Sequence, residues 1–236
     1  MKNTDVFSKI LLVDKPINWT SFDVVKKIRS QVKKKYNLSK VKVGHCGTLD
    51  PLATGLLIIF IGSKTKEIIH YENLNKKYVA RIKLGHTTKS FDRETPEINT
   101  KQYTHISENN IFEICNKFIG KQLQLPPIFS AIKLNGEPLY KKARRGEVNI
   151  KIKKREITIF TLNVLNINLP YIDITVKCSK GTYIRSLAND IGEKLNCGGY
   201  LYNLKRSEIG ELKLDGTFHI LEKLYKWTCC IVFFSL

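Results

Sequence analysis

A glycine-rich segment, Gly44–Gly55, constrains this chain more than any other part of it. It holds three glycines, one histidine and one aspartate, a composition too broken for a helix or a strand. Apolar runs flank it on both sides, Val41–Val43 and Leu56–Ile61. We therefore predict a loop held by a rigid scaffold, the setting in which functional residues concentrate. Asp50 is its only carboxylate, and Pro51 favours an extended backbone before it, so Asp50 is the first candidate for chemistry.

The charge of the chain favours a negatively charged partner. Its 236 residues include 40 Lys and Arg against 21 Asp and Glu, for a formal net charge of +19. A surface this basic attracts nucleic acid in preference to a membrane. An A+T-rich coding sequence also enriches Lys, Asn and Ile, so the charge alone leaves compositional drift open as an alternative.

Length and composition narrow the class of protein. The chain is long enough for one large domain, with or without a small appendage, and its 42% hydrophobic residues suffice for a core. The six cysteines form no Cys-x-x-Cys pair and stand at no zinc-finger spacing from a histidine, so we expect reduced thiols, no metal and a cytoplasmic location. We find neither a secretory signal nor an apolar run near the roughly 20 residues that span a membrane.

Hydrophobic periodicity predicts strands and helices mixed without a regular βαβ rhythm. Thr20 or Ser21 would cap a helix reaching Lys35, and Ser107 would cap another reaching Phe118. This mixture predicts an α+β fold, with a mostly antiparallel mixed sheet and flanking helices. The other expected helices are Thr65–His70, Pro138–Arg145 and Thr182–Leu195, and the expected strands are Ile10–Val13, Leu56–Ile61, Tyr78–Leu84, Glu156–Val164, Ile172–Cys178 and Tyr200–Lys205. The polar segment from His86 to Thr104 is expected to be a loop.

Three further segments place cations next to aromatic or strand residues: Lys76–Tyr78, Lys180–Arg185 and Leu204–Arg206. Aromatic rings stack on bases and cations hold phosphates, so such segments are typical of RNA contacts. The guanidinium of Arg185 could also form a bidentate pair with a carboxylate such as Asp50.

These segments, taken in order, resemble the bacterial tRNA pseudouridine-55 synthase (TruB) family. Any one motif alone is weak, and six of them in order make the resemblance specific. It extends from about Ile10 to Gly210. Besides the four segments above, it rests on an opening motif, Asp14-Lys15-Pro16 followed by Thr20-Ser21, and on a middle motif, Gln124–Lys133 with Tyr140–Gly146.

The resemblance implies an isomerase with a pseudouridine synthase-like fold. Members of this family convert a uridine in the T-loop of tRNA, uridine 55, to pseudouridine. The glycosidic bond moves from N1 to C5 of the same base, so no cofactor and no metal is needed. The implied partner is the T-arm stem-loop of tRNA, and the implied protein is a monomer that uses no guide RNA and no membrane.

The family also implies roles for individual residues. Asp50 would be the nucleophile, at either C6 of the base or C1′ of the ribose. Arg185 would pair with Asp50 and keep it ionised, and Tyr183 would lie near C5 and help remove its proton. The residues implied to contact the flipped base and its surroundings are His45 (filling the gap left by the base), Tyr78 (stacking on uracil) and Leu204 (lining the pocket), while Lys15, Lys77 and Lys205 are expected to meet RNA phosphates.

The chain departs from the family pattern at several positions: Asn18 stands for a usual Gly, Lys89 for an acidic residue, Phe129 for a Tyr and Cys46 for a Thr. The nearby Asp92 is kept. Many relatives add a PUA-type RNA-binding domain, but only 26 residues follow Gly210 here, too few for a separate domain. We therefore expect a catalytic domain over residues 1–211 and a short helix or tail over residues 212–236, with the helix at Thr217–Trp227.

Other functions fit part of these observations. A non-catalytic RNA-binding or RNA-folding protein on the same scaffold would leave Asp50 idle. A basic structural component of a ribonucleoprotein would explain the charge but not the Asp50 loop. The guide-RNA-dependent relatives of archaea and eukaryotes are a closer alternative, and they normally carry the extra domain. The basic cluster Lys141–Arg155, with eight Lys or Arg, is equally explained as an RNA face and as a solvated surface.

Overall fold

A computed structural model describes residues 8–147, 150–214 and 218–219 of the chain. The helices are α1 (Ser21–Lys35), α2 (Ile68–Glu72), α3 (Glu108–Lys117), α4 (Leu139–Arg144) and α5 (Ile184–Lys194), with a 3₁₀ turn at Gly62–Glu67. The strands are β1 (Lys9–Lys15), β2 (Val43–Cys46), β3 (Ala53–Ile61), β4 (Lys76–Leu84), β5 (Thr87–Thr88), β6 (Glu97–Ile98), β7 (Gly120–Gln124), β8 (Lys133–Leu134), β9 (Glu137–Pro138), β10 (Arg155–Asn168), β11 (Tyr171–Cys178), β12 (Gly199–Ile209), β13 (Leu212–Lys213) and β14 (Phe218–His219).

The chain divides into two compact units. The first contains the residues up to Tyr78 and those from Leu204 onward, and the second contains Val79–Asn203.

Strand β3 is central to the first unit. Strand β1 pairs antiparallel along one edge of β3, from Lys9 opposite Ile61 to Lys15 opposite Gly55. The other edge is shared, because β2 pairs antiparallel with Ile58–Ile61, while β12 pairs in parallel with Ala53–Gly55. Strand β14 lies parallel to β1, and β13 pairs antiparallel with β12. The loop between β2 and β3 therefore lies where the partner of β3 changes.

Helix α1 covers the sheet of the first unit, and its sequence explains its bounds. Thr20 caps the helix, and Asp23 reaches back to the Thr20 backbone to complete a capping box. Val24, Val25, Ile28 and Val32 recur at helical spacing and are buried against Val13, Leu57 and Ile59 of the sheet.

The second unit is a sheet with the strand order β4, β11, β10, β7. Strand β10 pairs antiparallel with both β11 and β7. Helix α5 buries Ile184, Leu187, Ala188 and Ile191. A side chain at Gly192 would meet the backbone of Gly198 and Gly199 at about 2.2 Å, so glycine lets α5 approach the start of β12 closely.

The structure confirms the α+β class and the mainly antiparallel sheet. Both predicted helix caps, Thr20 and Ser107, are present. The prediction that all of Gly44–Gly55 is a loop is wrong, since Gly44–Cys46 belongs to β2 and Ala53–Gly55 to β3. Backbone pairing with strongly apolar β3 outweighs the local glycine signal there. The loop itself comprises residues 47–52.

Two other segments differ from expectation. The region from His86 to Thr104 was expected to be a loop, but it contains a short antiparallel pair, β5 with β6. Part of the predicted helix Thr217–Trp227 is instead the short strand β14, Phe218–His219, and the rest of that helix lies outside the described residues. No helix in the described ranges is both long and apolar enough to span a membrane.

Candidate active site

Hydrogen bonds on both sides of Asp50 fix the backbone of the loop that carries it. The Ser21 hydroxyl, at the start of α1, accepts from the Leu49 amide at 2.9 Å and donates to the Leu49 carbonyl at 3.1 Å. The Asn18 amide donates to the Pro51 carbonyl at 2.8 Å, and the Ala53 amide donates to the Asp50 carbonyl at 3.1 Å. Asn18 adopts φ 66°, so asparagine meets the left-handed backbone usually supplied here by glycine.

The side chain of Lys15 also fixes the Asp50 loop. Its side chain is fully buried, and its ammonium donates to the carbonyls of Pro16, Trp19 and Pro51 at 2.9, 2.6 and 3.3 Å. Burial lowers the pKa of Lys15 to about 8, against the opposing influence of the nearby Asp50 charge. Lys15 was expected to meet RNA phosphates. This expectation is corrected, because its buried ammonium donates to backbone carbonyls inside the protein.

Arg206 is a second buried cation at this loop, with 1% of its surface exposed. Its Nε donates to the Leu56 carbonyl at 2.8 Å and its Nη2 to the Gly47 carbonyl at 2.9 Å. Gly47 has φ +70°, and a Cβ there would lie 3.2 Å from Nη1 of Arg206. Arg206 was not among the predicted site residues. Strand alternation could have indicated it, since Leu204 and Arg206 share one face of β12.

His45 lies on β2 opposite Ile59 and is half-buried. Its Nδ1 is buried and has no hydrogen-bond partner in the described part of the chain. Burial, and then the neighbouring Arg206 charge, lower the pKa of His45. The imidazole is therefore neutral at pH 7, which suits a side chain that packs against a base rather than one that holds a phosphate.

The other predicted substrate residues of the first unit lie on β4 and β12. Tyr78 is buried, with 9% of its surface exposed, and Leu204 is half-buried beside Ala53. Lys205 is exposed, as a phosphate contact requires. Lys77 is partly exposed and forms an ion pair with Glu208 at 3.2 Å.

In the second unit, Arg185 is buried with 3% of its surface exposed. Its Nη1 donates to the Ser90 carbonyl at 3.2 Å and its Nη2 to the Phe129 carbonyl at 2.9 Å. Its Nε lies 3.6 Å from Oδ2 of Asp92. Because Phe129 contributes its backbone here, the phenolic hydroxyl absent at this position is not needed for that contact.

The turn around Asp92 fixes the carboxylate that faces Arg185. The Ser90 hydroxyl donates to Asp92 at 2.6 Å, and the Glu94 amide donates at 2.9 Å. Phe91 has φ 61°, a conformation that is costly for a bulky residue and that clusters at functional sites. Lys89 is exposed, so its departure from the family pattern leaves this buried network intact.

Tyr183 is the N-cap residue of α5 and is half-buried. Its backbone amide donates to Oε1 of Gln124 at 2.8 Å, and its carbonyl accepts from Nε2 of Gln124 at 3.0 Å. Gln124 is itself buried, and the Ser186 hydroxyl donates to the Leu125 carbonyl at 2.7 Å. Two residues that sequence reasoning did not select, Gln124 and Ser186, therefore fix the turn from Tyr183 to Arg185.

The predicted site residues thus form two sets. Asp50, His45, Tyr78 and Leu204 belong to the first unit, where the Asp50 loop is held by Lys15 and Arg206. Tyr183 and Arg185 belong to the second unit, and the pairing of Arg185 with Asp50 stays a prediction. In the ranges that the structure describes, no group of three or more His, Cys, Asp or Glu is placed to hold a metal, and the four described cysteines are buried.

Comparison with known proteins decides the family. Residues 33–184, more than half of the chain, match the family described as TruB family pseudouridylate synthase (N terminal domain). The chain belongs to this family. The TruB-family fold and the enzyme class expected from the sequence are therefore confirmed, and the protein is a pseudouridine synthase, an isomerase.

Curated relatives of this TruB-family chain match along nearly their whole length. A protein of Chloroherpeton thalassium is 47% identical over 221 residues, which cover 92% of this chain and 91% of the relative. A protein of Phocaeicola vulgatus is 45% identical over 219 residues, which cover 93% of this chain and 92% of the relative. Both are named tRNA pseudouridine synthase B.

Two solved protein–protein or protein–RNA complexes contain a chain with a similar fold. A chain of a Cbf5–Nop10–Gar1 complex superposes with a TM-score of 0.65 at 26% identity, covering 90% of this TruB-family chain and 52% of the solved chain. A chain of an H/ACA ribonucleoprotein bound to a substrate RNA containing 2′-deoxyuridine superposes with a TM-score of 0.63 at 25% identity. This chain spans about half of each solved chain, so the likeness concerns the shared synthase fold.

Proposed function

We propose that this chain converts the T-loop uridine of tRNA, uridine 55, to pseudouridine. The observation that carries the proposal is the match to relatives named tRNA pseudouridine synthase B over more than nine-tenths of both chains. The net charge of +19 suits a polyanionic substrate. We expect the protein to act in the cytoplasm as a monomer, without a guide RNA.

Asp50 is the proposed nucleophile. It is the only carboxylate between Asp23 and Glu67, and the hydrogen bonds of Ser21, Lys15 and Arg206 fix the backbone on both sides of it. A reacting group held in this way needs little reorganisation when substrate binds, which lowers the entropic part of the barrier.

The reaction breaks one bond and forms another within the same nucleotide. The stacked uridine is first flipped out of the loop. Asp50 attacks either C6 of the base or C1′ of the ribose, and the N1–C1′ bond breaks. The uracil then rotates, the C5–C1′ bond forms and the bond to Asp50 is broken, which frees the carboxylate. C5 loses its proton and N1 gains one, so the product is an isomer of the substrate. No electrons are gained or lost overall, so the reaction needs no redox partner.

The remaining residues are assigned to support this step. Arg185 is proposed to pair with Asp50 and hold it ionised, and Tyr183 to assist removal of the C5 proton. Tyr78 would stack on the flipped uracil and Leu204 would line its pocket. The neutral, half-buried imidazole of His45 suits the proposed role of filling the space that the base vacates.

The proposal is tested by tritium release from T-arm RNA labelled at uracil C5, with purified protein and nothing added. We expect release by the wild type and none by Asp50→Asn, which is nearly isosteric but cannot act as a nucleophile. The matched control is Glu211→Gln, an exposed carboxylate of the same unit, which should release tritium like the wild type.

Binding of the same RNA separates the alternatives. Phosphate contacts dominate affinity, so Asp50→Asn should bind T-arm RNA within a few-fold of the wild type. Binding without release by the wild type would instead favour an RNA-folding protein or a protein that needs a partner. Release by Asp50→Asn at the wild-type rate would remove Asp50 from the role of nucleophile.

A further inference from the structure

Positive charge is concentrated in one stretch of the first unit. The 26 residues between Asp23 and Asp50 contain eight Lys or Arg and no carboxylate. Helix α1 turns its valines and Ile28 to the core, so its lysines lie on its other side. Arg29 instead donates to the Val43 carbonyl at 3.0 Å. This lack of carboxylates does not favour the helix itself, because like charges at i,i+4 destabilise a helix and opposite charges stabilise it.

The lysines of α1 form two rows along its surface. Lys26 and Lys33 are seven residues apart, as are Lys27 and Lys34, so each pair lies within about 20° around the helix and about 10.5 Å along it. After the helix, Lys40 and Lys42 are exposed, while Val43, the first residue of β2, is buried. We call these six lysines the α1 basic face.

The α1 basic face is not neutralised by acidic side chains. Lys26 is 3.8 Å from Asp23, and none of the other five lysines has a carboxylate within ion-pair distance in the described part of the chain. Two exposed aromatic rings adjoin the face, Phe22 and Tyr36. Unpaired cations interleaved with exposed aromatic rings are the pattern of a nucleic-acid surface.

The face starts at the Asp50 loop. The first residue of α1, Ser21, is hydrogen-bonded to Leu49 in that loop. The helix has 15 residues and therefore extends about 22 Å away from the loop. A cavity of about 450 Å³ at its first turn is lined by Asn18, Trp19, Asp23, Lys26 and Lys27, so the surface at that end is concave.

We propose that the α1 basic face binds backbone phosphates of the tRNA whose uridine reacts at Asp50. The contact reaches beyond the reacting nucleotide to a paired stem, because it extends about 22 Å and is formed by lysines, which bind phosphates as point charges. The identity of the RNA rests on the proposed function. The face itself rests on charge, exposure and the hydrogen bonds to the loop.

The test compares two variants with equal loss of charge. One carries Lys27→Gln, Lys33→Gln, Lys34→Gln and Lys42→Gln in the α1 basic face. The control carries Lys117→Gln, Lys121→Gln, Lys177→Gln and Lys194→Gln, four exposed lysines of the second unit. Binding of unmodified tRNA transcript is measured over a range of salt concentrations, and both variants are checked for wild-type thermal unfolding.

We expect the face variant to bind tRNA about ten-fold or more weakly, with a salt slope lower by roughly 2 to 4, since each lost phosphate contact removes about one unit. The control should stay within about two-fold of the wild type. The four corresponding Lys→Arg substitutions in the face should restore binding, because they keep the charge.

Equal weakening in both variants would overturn the proposal in favour of non-specific charge, and unchanged binding in the face variant would assign the face to another partner. Tritium release by the wild type, measured in parallel, keeps this result apart from the proposed function. If the wild type releases no tritium while the two variants still differ in tRNA binding, the proposed reaction is wrong and the α1 basic face remains an RNA-binding surface.

Discussion

Arg206 donates from Nη2 to the Gly47 carbonyl at 2.9 Å, where the Asp50 loop begins. The same guanidinium donates from Nε to the Leu56 carbonyl at 2.8 Å, four residues after Leu52, where the loop ends. One buried cation therefore fixes the span of the loop that carries the proposed nucleophile. The planar fork of an arginine presents these two donors in fixed, separate directions, whereas the ammonium of a lysine is a single point charge.

Arg206→Lys should lower both stability and turnover. An ammonium keeps the charge but cannot replace the two-sided contact, so one carbonyl and part of a buried charge lose their partner. We expect a loss of about 2–4 kcal/mol in the free energy of unfolding, measured by urea denaturation. Turnover in the tritium-release assay should fall more than tRNA affinity does.

The neighbouring Lys205 provides the control for that experiment. Its side chain is exposed, so Lys205→Gln should change the free energy of unfolding by less than about 0.5 kcal/mol. If Arg206→Lys unfolds at the same urea concentration as the wild type, the guanidinium does not hold the loop.

Gly47→Ala tests the contact between Gly47 and Arg206 from the other side. The added Cβ would lie 3.2 Å from Nη1 of Arg206 in a backbone with φ +70°. Gly136 has φ +82°, and a Cβ added there would have no neighbouring atom within 4 Å, so Gly136→Ala carries the backbone penalty alone. We expect Gly136→Ala to lose about 1 kcal/mol of stability, and Gly47→Ala to lose more because it adds the contact with Arg206.

Turnover should separate the two glycine variants. Displacing the guanidinium moves the Asp50 loop, and a small misplacement of a reacting group costs about 10- to 100-fold in rate. Gly47→Ala should show that loss in the tritium-release assay, and Gly136→Ala should not. Equal turnover in the two variants would show that the loop tolerates a shift of Arg206.

How far the sequence predicts this molecule depends on the range of the forces involved. The cap of α1 at Thr20 and the buried stripe from Val24 to Val32 follow from local rules, and both are present. Asn18 was expected to tolerate a left-handed backbone, and it has φ 66°. These features depend on residues within one or two helical turns.

Strand alternation places Arg206 on the same face as Leu204, but the burial of Lys15 and Arg206 and the carbonyls they bind follow from no local rule. In the sequence, Lys15 next to Pro16 is typical of an exposed phosphate contact. In the structure, β1 pairs with β3, and the Lys15 ammonium donates to the carbonyl of Pro51, which is distant in sequence. Arg206 is separated from Gly47 by 159 residues in sequence. Their burial is a product of strand pairing, so sequence pattern could find the Asp50 loop but not the side chains that hold it.

Asp92 is expected to act on turnover through Arg185. Its Oδ2 lies 3.6 Å from Nε of Arg185, and both side chains are buried. Asp92→Asn removes the charge but keeps the shape, so Arg185 loses part of its orientation. We expect kcat for tritium release to fall about 10-fold or more, with a smaller change in KM.

A surface pair of the same unit is the control for Asp92. Asp173 accepts two hydrogen bonds from Arg81, at 2.7 and 2.8 Å, and this pair is partly exposed. Asp173→Asn should leave turnover within about two-fold, because exposed ion pairs contribute little. If the two variants have the same kcat, Asp92 does not position Arg185 for the reaction.

Lys15 should leave a signature in the pH dependence of stability. Its pKa is about 8 in the folded chain, against 10.5 for an ordinary lysine. Between these values the unfolded chain binds the proton more than the folded chain does, so the stability of the wild type rises with pH, by at most about 1.4 kcal/mol per pH unit. Below pH 8 both states are protonated and this contribution is a constant cost of burying the charge.

Lys15→Met removes the titrating group and keeps most of the buried volume. The free energy of unfolding of the wild type minus that of Lys15→Met should therefore be flat from pH 6 to 7.5 and should increase from pH 8 to 10, as measured by urea denaturation at each pH. A difference that falls over that upper range would mean that the folded chain stabilises the charged ammonium. Its three carbonyl contacts would then outweigh its desolvation, and the pKa of Lys15 would lie above that of a free lysine.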